Sequence, residues 1–221
     1  MYMKVFFTAI GLIALLAGNA VSAASSDRSR SWEATIQVLG TGSESRNGEN
    51  GSGVDFDSAT GWGFGVAYNF NEHLAVGFDG AFVKPKYTAT FNTDEDGLVS
   101  LRHKASVFNG QLNGTWNIMK GPFTPFLQLG MGWTHIDSNV ADGPPVTGCW
   151  WDPWWGYVCS NFYSTYKDTR FSWGAGAGLR YEFQNRMFVK GSINRVEIDG
   201  GNNAVDPKFD LWKLELGWKL N

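Results

Sequence analysis

Three histidines are the side chains of this sequence best suited to acid–base chemistry, and they stand at His73, His103 and His135. Only His135 has a carboxylate and a hydroxyl close by in the sequence, at Asp137 and Ser138. A nucleophilic site needs three such side chains to converge on one point. Because successive residues of a strand face opposite sides, Asp137 and Ser138 would diverge. The sequence therefore predicts no catalytic residue and no enzyme.

The two cysteines, Cys149 and Cys159, enclose nine residues of a polar and aromatic segment. A zinc site would need further ligands at suitable spacing, and no histidine lies near either cysteine in the sequence. In an oxidising compartment, two cysteines placed in this way form a disulfide by default. We therefore expect a local disulfide and neither a metal site nor a cofactor.

The segment between the cysteines is rich in aromatic side chains, namely Trp150, Trp151, Trp154, Trp155 and Tyr157. Trp and Tyr offer a large contact area at low entropic cost and often dominate binding interfaces. On the outer side of a membrane protein they could stack on a glycan, dock a host or phage protein, or enter the lipid headgroup layer. The alternative is a segment folded over the mouth of the protein or resting on the membrane. The sequence leaves both open.

Acidic residues gather in two further segments, at Asp55, Asp57, Asp94, Glu95 and Asp96. Carboxylates of this kind could bind divalent cations that bridge lipopolysaccharide. Neither Asp-x-Asp nor Asp-Glu-Asp-Gly is a complete calcium-binding loop. We expect solvated acids here and no metal ligands.

The elements that would position these residues are eight stretches in which large apolar residues alternate with small or polar ones, a pattern that predicts β-strands. The last stretch is the clearest, because Trp212, Leu214 and Trp218 fall on one parity and Lys213 and Glu215 on the other. The predicted strands cover residues 31–39, 59–70, 74–84, 101–117, 124–137, 168–183, 187–197 and 209–220.

The connections between the predicted strands are alternately short and long. The short ones are 71–73, 118–123 and 184–186, and the long ones are 40–58, 85–100, 138–167 and 198–208. The long connections are rich in Gly, Asn, Asp and Pro, so we expect mobile loops there. Tight turns on one rim and long loops on the other are typical of barrels that cross an outer membrane.

The two faces of the predicted strands differ in chemistry. One parity carries charges interspersed with glycine: Glu33, Asp79, Arg180, Glu182, Lys190, Lys213, Glu215 and Lys219. An eight-stranded barrel has an interior that side chains just fill, so the large aromatic residues of the other parity would not fit inside it. Because an isolated buried ion is costly, we expect the charges to pair in the lumen, either as a permanent plug or as a gate whose rearrangement opens a narrow conductance.

The apolar parity would then face lipid. Its Trp and Tyr residues would form the aromatic girdle at Trp62, Tyr68, Trp116, Trp133, Trp173, Tyr181, Trp212 and Trp218. The predicted fold is thus all-β, an eight-stranded antiparallel up-and-down transmembrane β-barrel.

An export signal precedes the predicted barrel. Lys4 is followed by an apolar run from Val5 to Leu16, and Ala23 ends a stretch of small residues suited to cleavage. We expect residues 1–23 to be a cleaved signal peptide and residues 24–221 to form one barrel domain. The formal net charge of the chain is −3, so no basic surplus points to nucleic acid.

Short motifs link the sequence to a known group of proteins. The pattern G-x-G-x-x-Y-x-F occurs twice, at Gly63–Phe70 and Gly176–Phe183, and residues 125–133 read PFLQLGMGW. With these segments the chain resembles small outer-membrane barrels of the opacity, outer-membrane-protein-A and outer-membrane-protein-W kind. The resemblance implies a place in the outer membrane of a Gram-negative bacterium, among its lipids and lipopolysaccharide.

The end of the chain resembles the signal that barrel-assembly machinery reads, with polar Glu215, then Gly217, then apolar Leu220. It departs from that signal at Asn221, where a terminal Phe is usual, so recognition would depend on Trp218 and Leu220. We expect the C-terminal strand to contact that machinery.

The resemblance implies a structural and surface-interaction role of the adhesin or opacity type. One alternative is a narrow channel for small solutes or small hydrophobic compounds, as in W-like barrels, although such a path would favour an apolar lumen. A remote alternative is a lipid A-modifying enzyme. The deacylases among such barrels use a His-x-Ser pair, which this sequence does not contain.

Overall fold

The computed structural model describes residues 28–47, 53–93, 97–144, 146–162, 164–200 and 207–220. The predicted signal peptide lies outside the described residues, as do Asp94, Glu95, Asp96 and Asn221. Every regular element in the described part of the chain is a β-strand. No helix long and apolar enough to cross a membrane occurs among these residues.

Eight antiparallel strands close into a barrel, each paired with the barrel strand before and after it in the chain. The first and last of them pair over ten residues, from Trp32 with Leu220 to Thr41 with Leu211, and so seal the cylinder. The predicted eight-stranded up-and-down barrel is therefore confirmed. Its strands are β1 (Ser31–Thr41), β4 (Ala59–Asn69), β5 (Leu74–Val83), β8 (Ser106–Asn117), β9 (Phe123–Ala141), β12 (Thr165–Glu182), β13 (Met187–Ile198) and β14 (Lys208–Leu220).

Alternation of residue size explains why these segments fold as barrel strands. In β14, Trp212, Leu214 and Trp218 point outward and are exposed, while Glu215 and Gly217 are buried inside. Glycines on the lumen face make room for larger neighbours, since a Cβ at Gly217 would collide with the ring of Phe188. Small residues inside and bulky apolar residues outside reverse the pattern of a soluble protein.

The long connections are more regular than the sequence predicted. Six shorter strands occupy them: β2 (Glu44–Asn47), β3 (Gly53–Phe56), β6 (Lys86–Thr93), β7 (Gly97–Lys104), β10 (Val146–Asp152) and β11 (Gly156–Phe162). The order β2-β3-β6-β7 forms one small sheet, and β10 and β11 form a hairpin. The mobile loops expected at 40–58, 85–100 and 138–167 thus contain strands. β2 and β3 are only four residues long, and in β10 the adjacent Trp150 and Trp151 break the alternation on which the strand prediction depends.

The predicted fourth strand, 101–117, is also wrong in its extent. It divides at Ala105 into the end of β7 and the start of β8. Ala105 itself is buried, and its backbone N–H donates to the carbonyl of Pro85 at 2.9 Å. At this point the barrel pair β5–β8 continues as the pair β6–β7 of the small sheet, with the same register.

Candidate functional site

An ionic cluster centred on Arg180 lies in the lumen at the end with the short turns. Its Nη1 and Nη2 atoms donate to the two oxygens of Glu33 at 2.9 and 2.6 Å, and Nε donates to Glu182 at 2.7 Å. The guanidinium also lies 4.0 Å from the ring centre of Phe188. The side chains of Arg180, Glu33, Glu182 and Phe188 are all buried.

Two lysines extend the cluster across neighbouring strands. Lys190 lies 3.7 Å from Glu33 and 3.9 Å from Glu215, and Lys219 donates to Glu182 at 2.9 Å. Glu33 accepts a further hydrogen bond from Asn69 at 2.7 Å. Because each carboxylate has a cationic neighbour, burial of the charges is compensated.

Arg28 joins the cluster and was missed by the sequence analysis. It precedes β1, is fully buried, and places Nε 3.0 Å from Glu182. Its Nη2 donates to the carbonyls of Gly121 and Met119, at 2.7 and 3.4 Å, in the turn between β8 and β9. Strand alternation could not find it, because it lies before the first strand. Its hydrogen bonds link the segment before β1 to the turn between β8 and β9.

Higher in the barrel, Asp79 forms the centre of a polar layer. Lys213 donates to it at 3.2 Å, and the amides of Gln37, Asn113 and Gln128 donate at 3.1, 2.9 and 3.4 Å. Two small cavities border this layer, with volumes of about 30 and 20 Å³. Since a water molecule needs about 10–15 Å³ of such space, the two cavities have room for about two or three waters and for one or two, respectively.

The lumen-side charges of the described residues can now be compared. The cations are Arg28, Arg180, Lys190, Lys213 and Lys219, and the carboxylates are Glu33, Asp79, Glu182 and Glu215. Five cations thus face four carboxylates. The eight lumen residues proposed from the sequence all lie together in this network, with Arg28 added.

Aromatic residues of the small sheet and of β14 contact one another at the outer end of the barrel. Phe56 lies between Tyr87 and Phe209, with ring centres 5.6 and 6.1 Å away. The hydroxyl of Tyr87 donates to the carbonyl of Ser138 at 3.1 Å and so ties the sheet to β9. Beneath them lie the buried apolar residues Leu39, Val83, Ala105, Val196 and Ile198.

The segment that contains the two cysteines forms what we call the aromatic hairpin, residues 146–162. Cys149 and Cys159 are directly opposed in the β10–β11 register and are joined by the predicted disulfide, which is thereby confirmed. Trp151, Trp154, Trp155 and Tyr157 are 68, 85, 81 and 74 % exposed. The side chain of Trp150 lies outside the described part. The four hairpin aromatics with described side chains are therefore largely exposed.

The outward face of the barrel carries the residues proposed as an aromatic girdle. Trp62, Trp116, Trp133, Trp173, Trp212 and Trp218 are exposed, and Tyr68 and Tyr181 are half-buried. At the turn end Tyr68 contacts Trp32, and at the outer end Trp62 stacks on Phe82, with ring centres 5.1 and 4.8 Å apart. Aliphatic residues such as Leu112 and Leu129 are exposed between these two levels.

The triad-like residues do not converge. His135 Nδ1 lies 2.8 Å from the hydroxyl of Thr169, whereas the hydroxyl of Ser138 donates to the carbonyl of Tyr166. Asp55 and Asp57 are exposed on the small sheet. Across the described residues, no group of three or more His, Cys, Asp or Glu side chains is arranged to hold a metal ion.

Comparison with known proteins identifies the group to which this arrangement belongs. The family described as outer membrane protein beta-barrel domain matches residues 11–219. The outer membrane protein OprG from Pseudomonas aeruginosa has a similar structure, with 14% identity, a TM-score of 0.56 and coverage of 88% of this chain and 97% of OprG. Comparison with curated protein sequences finds no significant match.

Two further solved structures are more distant. Ail, the attachment invasion locus protein of Yersinia pestis, has 13% identity and a TM-score of 0.46, with coverage of 86% of this chain and 99% of Ail. Neisserial surface protein A has 11% identity and a TM-score of 0.45, with coverage of 90% and 98%. At these identities the likeness concerns the fold.

Proposed function

This chain belongs to the outer membrane protein β-barrel domain family, and on that premise we propose that it is a surface-interaction protein whose barrel presents the aromatic hairpin to a ligand outside the cell. Its location is the outer membrane of a Gram-negative bacterium. The barrel supplies an anchor, and the long strands β9 and β12 carry the hairpin away from the membrane.

The exposure of the hairpin aromatics is the observation that carries this proposal. Four large aromatic side chains on one disulfide-bonded hairpin leave most of their surface uncovered. Trp and Tyr are enriched among the residues that contribute most to binding. A disulfide also restricts the hairpin before binding, so less conformational entropy is lost when a ligand arrives.

The chemistry of the hairpin restricts the kind of ligand. Asp152 is the only charged residue between positions 146 and 162. A neutral aromatic surface suits the apolar faces of sugar rings or an apolar patch on a host or phage protein, and it offers no cation to a polyanion. We therefore favour a glycan or protein ligand of low charge.

The ionic cluster supports a second part of the proposal, namely that the lumen is plugged. The buried Arg180 cluster and Arg28 occupy the turn end, and the cavities that border the polar layer have room for about three water molecules at most. The barrel then serves as a scaffold. Assembly into the membrane would still depend on contact between β14 and the barrel-assembly machinery.

A narrow channel is the second candidate, and one observation favours it. In the polar layer, Gln37 Oε1, Gln111 Nε2 and Gln128 Oε1 are buried without a protein partner. Such atoms suit water or a small polar solute, while a hydrophobic solute would meet amide and charged groups in the polar layer and in the ionic cluster. Planar-bilayer recording on the purified protein separates the candidates, since silence at all voltages removes the channel.

The adhesive role is tested by replacing Trp151, Trp154, Trp155 and Tyr157 with Ala. Whole cells carrying this variant should lose at least tenfold in binding to a panel of glycans and host cells, because each lost anchor costs about 1 kcal/mol or more. A control variant replaces Leu101 and Tyr166, which are exposed on other outer strands, and should bind as the parent does. Unchanged binding by the hairpin variant would remove the adhesive role.

A further inference from the structure

The pair of strands β5 and β8 continues outward as β6 and β7 in one register. Val83 pairs with Val107 in the barrel, and Lys86 pairs with Lys104 in the small sheet. The two residue pairs belong to the same strand register. The hydrogen bond from the Ala105 N–H to the Pro85 carbonyl connects the barrel pair to the small-sheet pair. The outward face of the barrel therefore continues onto the small sheet.

Four basic residues share this continued face. Phe82 and Phe108 end the apolar part of the face, and alternation then places Lys84, Lys86, Lys104 and Arg102 above them. All four basic side chains are exposed. We call these four residues the basic patch.

The depth of the basic patch follows from strand geometry. Phe82 lies 4.8 Å from both Trp62 and Phe108, ring centre to ring centre, and these rings form the outer aromatic level. Two residues of a strand tilted by about 45° rise roughly 5 Å along the membrane normal. Lys84 thus stands about 5 Å above the aromatic level and Lys86 and Lys104 about 9 Å above it, which is within or next to the headgroup layer.

Other outward charges near this rim are neutralised by partners. Lys167 pairs with Asp137 at 3.5 Å, Arg195 with Asp210 at 2.7 Å, and Lys208 with Glu197 at 2.7 Å. By contrast, no residue of the basic patch lies within 4 Å of a carboxylate in the described part of the chain. The patch thus differs from the rest of the rim.

Two carboxylates next to the basic patch, Asp55 and Asp57, offset part of its positive charge. The N–H of Asp57 donates to the carbonyl of Lys86 at 2.9 Å, which places the two residues side by side, and Asp55 pairs in register with Thr88. Asp137 lies on the same face opposite Ser106 and is paired with Lys167, so among the described residues five cations and three carboxylates leave an excess of two positive charges. Backbone contacts hold the patch in place, since Asn139 Nδ2 donates to the carbonyl of Lys104 at 2.6 Å.

We propose that the basic patch binds the phosphate groups of lipids in the outer leaflet that surrounds the barrel. Ammonium and guanidinium groups form charge-assisted hydrogen bonds with phosphate, and long basic side chains near a membrane surface bend toward the headgroups. The position of the patch directly above a lipid-facing aromatic surface favours a membrane lipid over a soluble polyanion. The inference depends on the membrane location and is independent of what the aromatic hairpin binds.

The test compares two variants with the same change of charge. The patch variant carries Lys84→Gln, Lys86→Gln and Lys104→Gln, and the control variant carries Lys167→Gln, Arg195→Gln and Lys208→Gln. Binding of bisphosphorylated lipid A and of its dephosphorylated form is measured by native mass spectrometry on the full barrel in detergent. Each lysine near an anionic surface accounts for about a fivefold change in affinity, so the patch variant should bind the phosphorylated lipid roughly a hundredfold more weakly.

The control variant should retain the affinity of the parent within about threefold. A variant with arginine in place of Lys84, Lys86 and Lys104 should bind as the parent does. Folding is checked by the heat-dependent gel mobility of barrels, and Lys84→Gln alone is used if the triple variant does not fold. Equal loss in both variants, equal binding of the dephosphorylated lipid, or unchanged binding by the patch variant would overturn the proposal. The proposal would also be overturned if the parent protein did not bind lipid A but bound a soluble sulfated polysaccharide through the same lysines.

Discussion

Replacement of Arg180 by Met is the sharpest test of the ionic cluster. The change keeps a long side chain in the lumen but removes the three hydrogen bonds that Arg180 donates to Glu33 and Glu182. It also removes the cation that lies over the ring of Phe188. The two carboxylates remain buried after the change.

The expected loss can be worked out from the remaining contacts. Removing one partner of a buried ion pair costs about 3–5 kcal/mol. Here Glu33 keeps Asn69 and Lys190, at 2.7 and 3.7 Å, and Glu182 keeps Arg28 and Lys219, at 3.0 and 2.9 Å. We therefore expect the lower end of that range, about 3 kcal/mol of the free energy of unfolding.

The assay is urea unfolding of the barrel in lipid vesicles, followed by tryptophan fluorescence. Arg195→Met serves as the control, because its ion pair with Asp210 is exposed and should contribute little. The double variant Arg180→Met with Glu33→Met should recover much of the loss, since a packed apolar pair can replace a buried ion pair. If Arg180→Met unfolds at the same urea concentration as the parent, the lumen charges are not paired as described.

Three further predictions concern Arg28, the disulfide and the outer rim. Arg28→Ala should raise single-channel conductance in planar bilayers from none to small, resolved steps, because it removes a buried side chain from the turn end of the lumen. A silent variant would show that the rest of the ionic cluster is enough to close the lumen. Replacing Cys149 and Cys159 with Ala should speed chymotrypsin cleavage of the aromatic hairpin without changing barrel unfolding, because the lost ~2–3 kcal/mol restrains only a short loop; a less stable barrel would contradict this. Asp210 lies above the lipid-facing residues of β14, and hydrogen bonds from Arg195 lower its pKa. The Asp210 carboxylate therefore stabilises the folded state above its unfolded-state pKa, and this stabilisation is lost as pH falls through its folded-state pKa. NMR titration of Arg195→Gln should show the Asp210 pKa rising toward its usual 3.8, and an unchanged value would contradict the pairing.

Residue alternation predicted the barrel because both of its faces are chemically distinct. In β14 the apolar parity faces outward and the charged parity inward, as size and charge require in so narrow a cylinder. The short turns were predicted for the same reason, since tight connections leave little choice of topology. The barrel fold could therefore be predicted from residue alternation and connection length alone.

Residues outside the pattern could not be assigned in this way. Phe188 stands on the lumen face where a polar residue was expected, because Gly217 leaves room for its ring and Arg180 covers it. Arg28 lies before the first strand, so its burial depends on tertiary contacts with the turn at Met119 and Gly121. Burial of this kind is set by neighbours distant in the sequence.

The basic patch was missed for a related reason. Lys84 and Lys104 fall in the predicted strands 74–84 and 101–117, but Lys86 falls in the predicted connection 85–100, and in a loop the direction of a side chain has no regular period. Only the shared register of β5–β8 and β6–β7 places Lys84, Lys86 and Lys104 on the lipid-facing side. The aromatic hairpin, in contrast, was predicted from composition, although the exposure of its aromatic side chains was not.

The most direct test of which face meets lipid uses spin labels at two adjacent positions of β9. Leu129 is 68 % exposed on the outside, and Gln128 is 9 % exposed in the lumen. A label at Leu129→Cys in lipid vesicles should collide frequently with oxygen and rarely with a water-soluble nickel complex, while a label at Gln128→Cys should be shielded from oxygen in the acyl chains. The reverse pattern, with position 128 in contact with the acyl chains and position 129 shielded, would contradict the account.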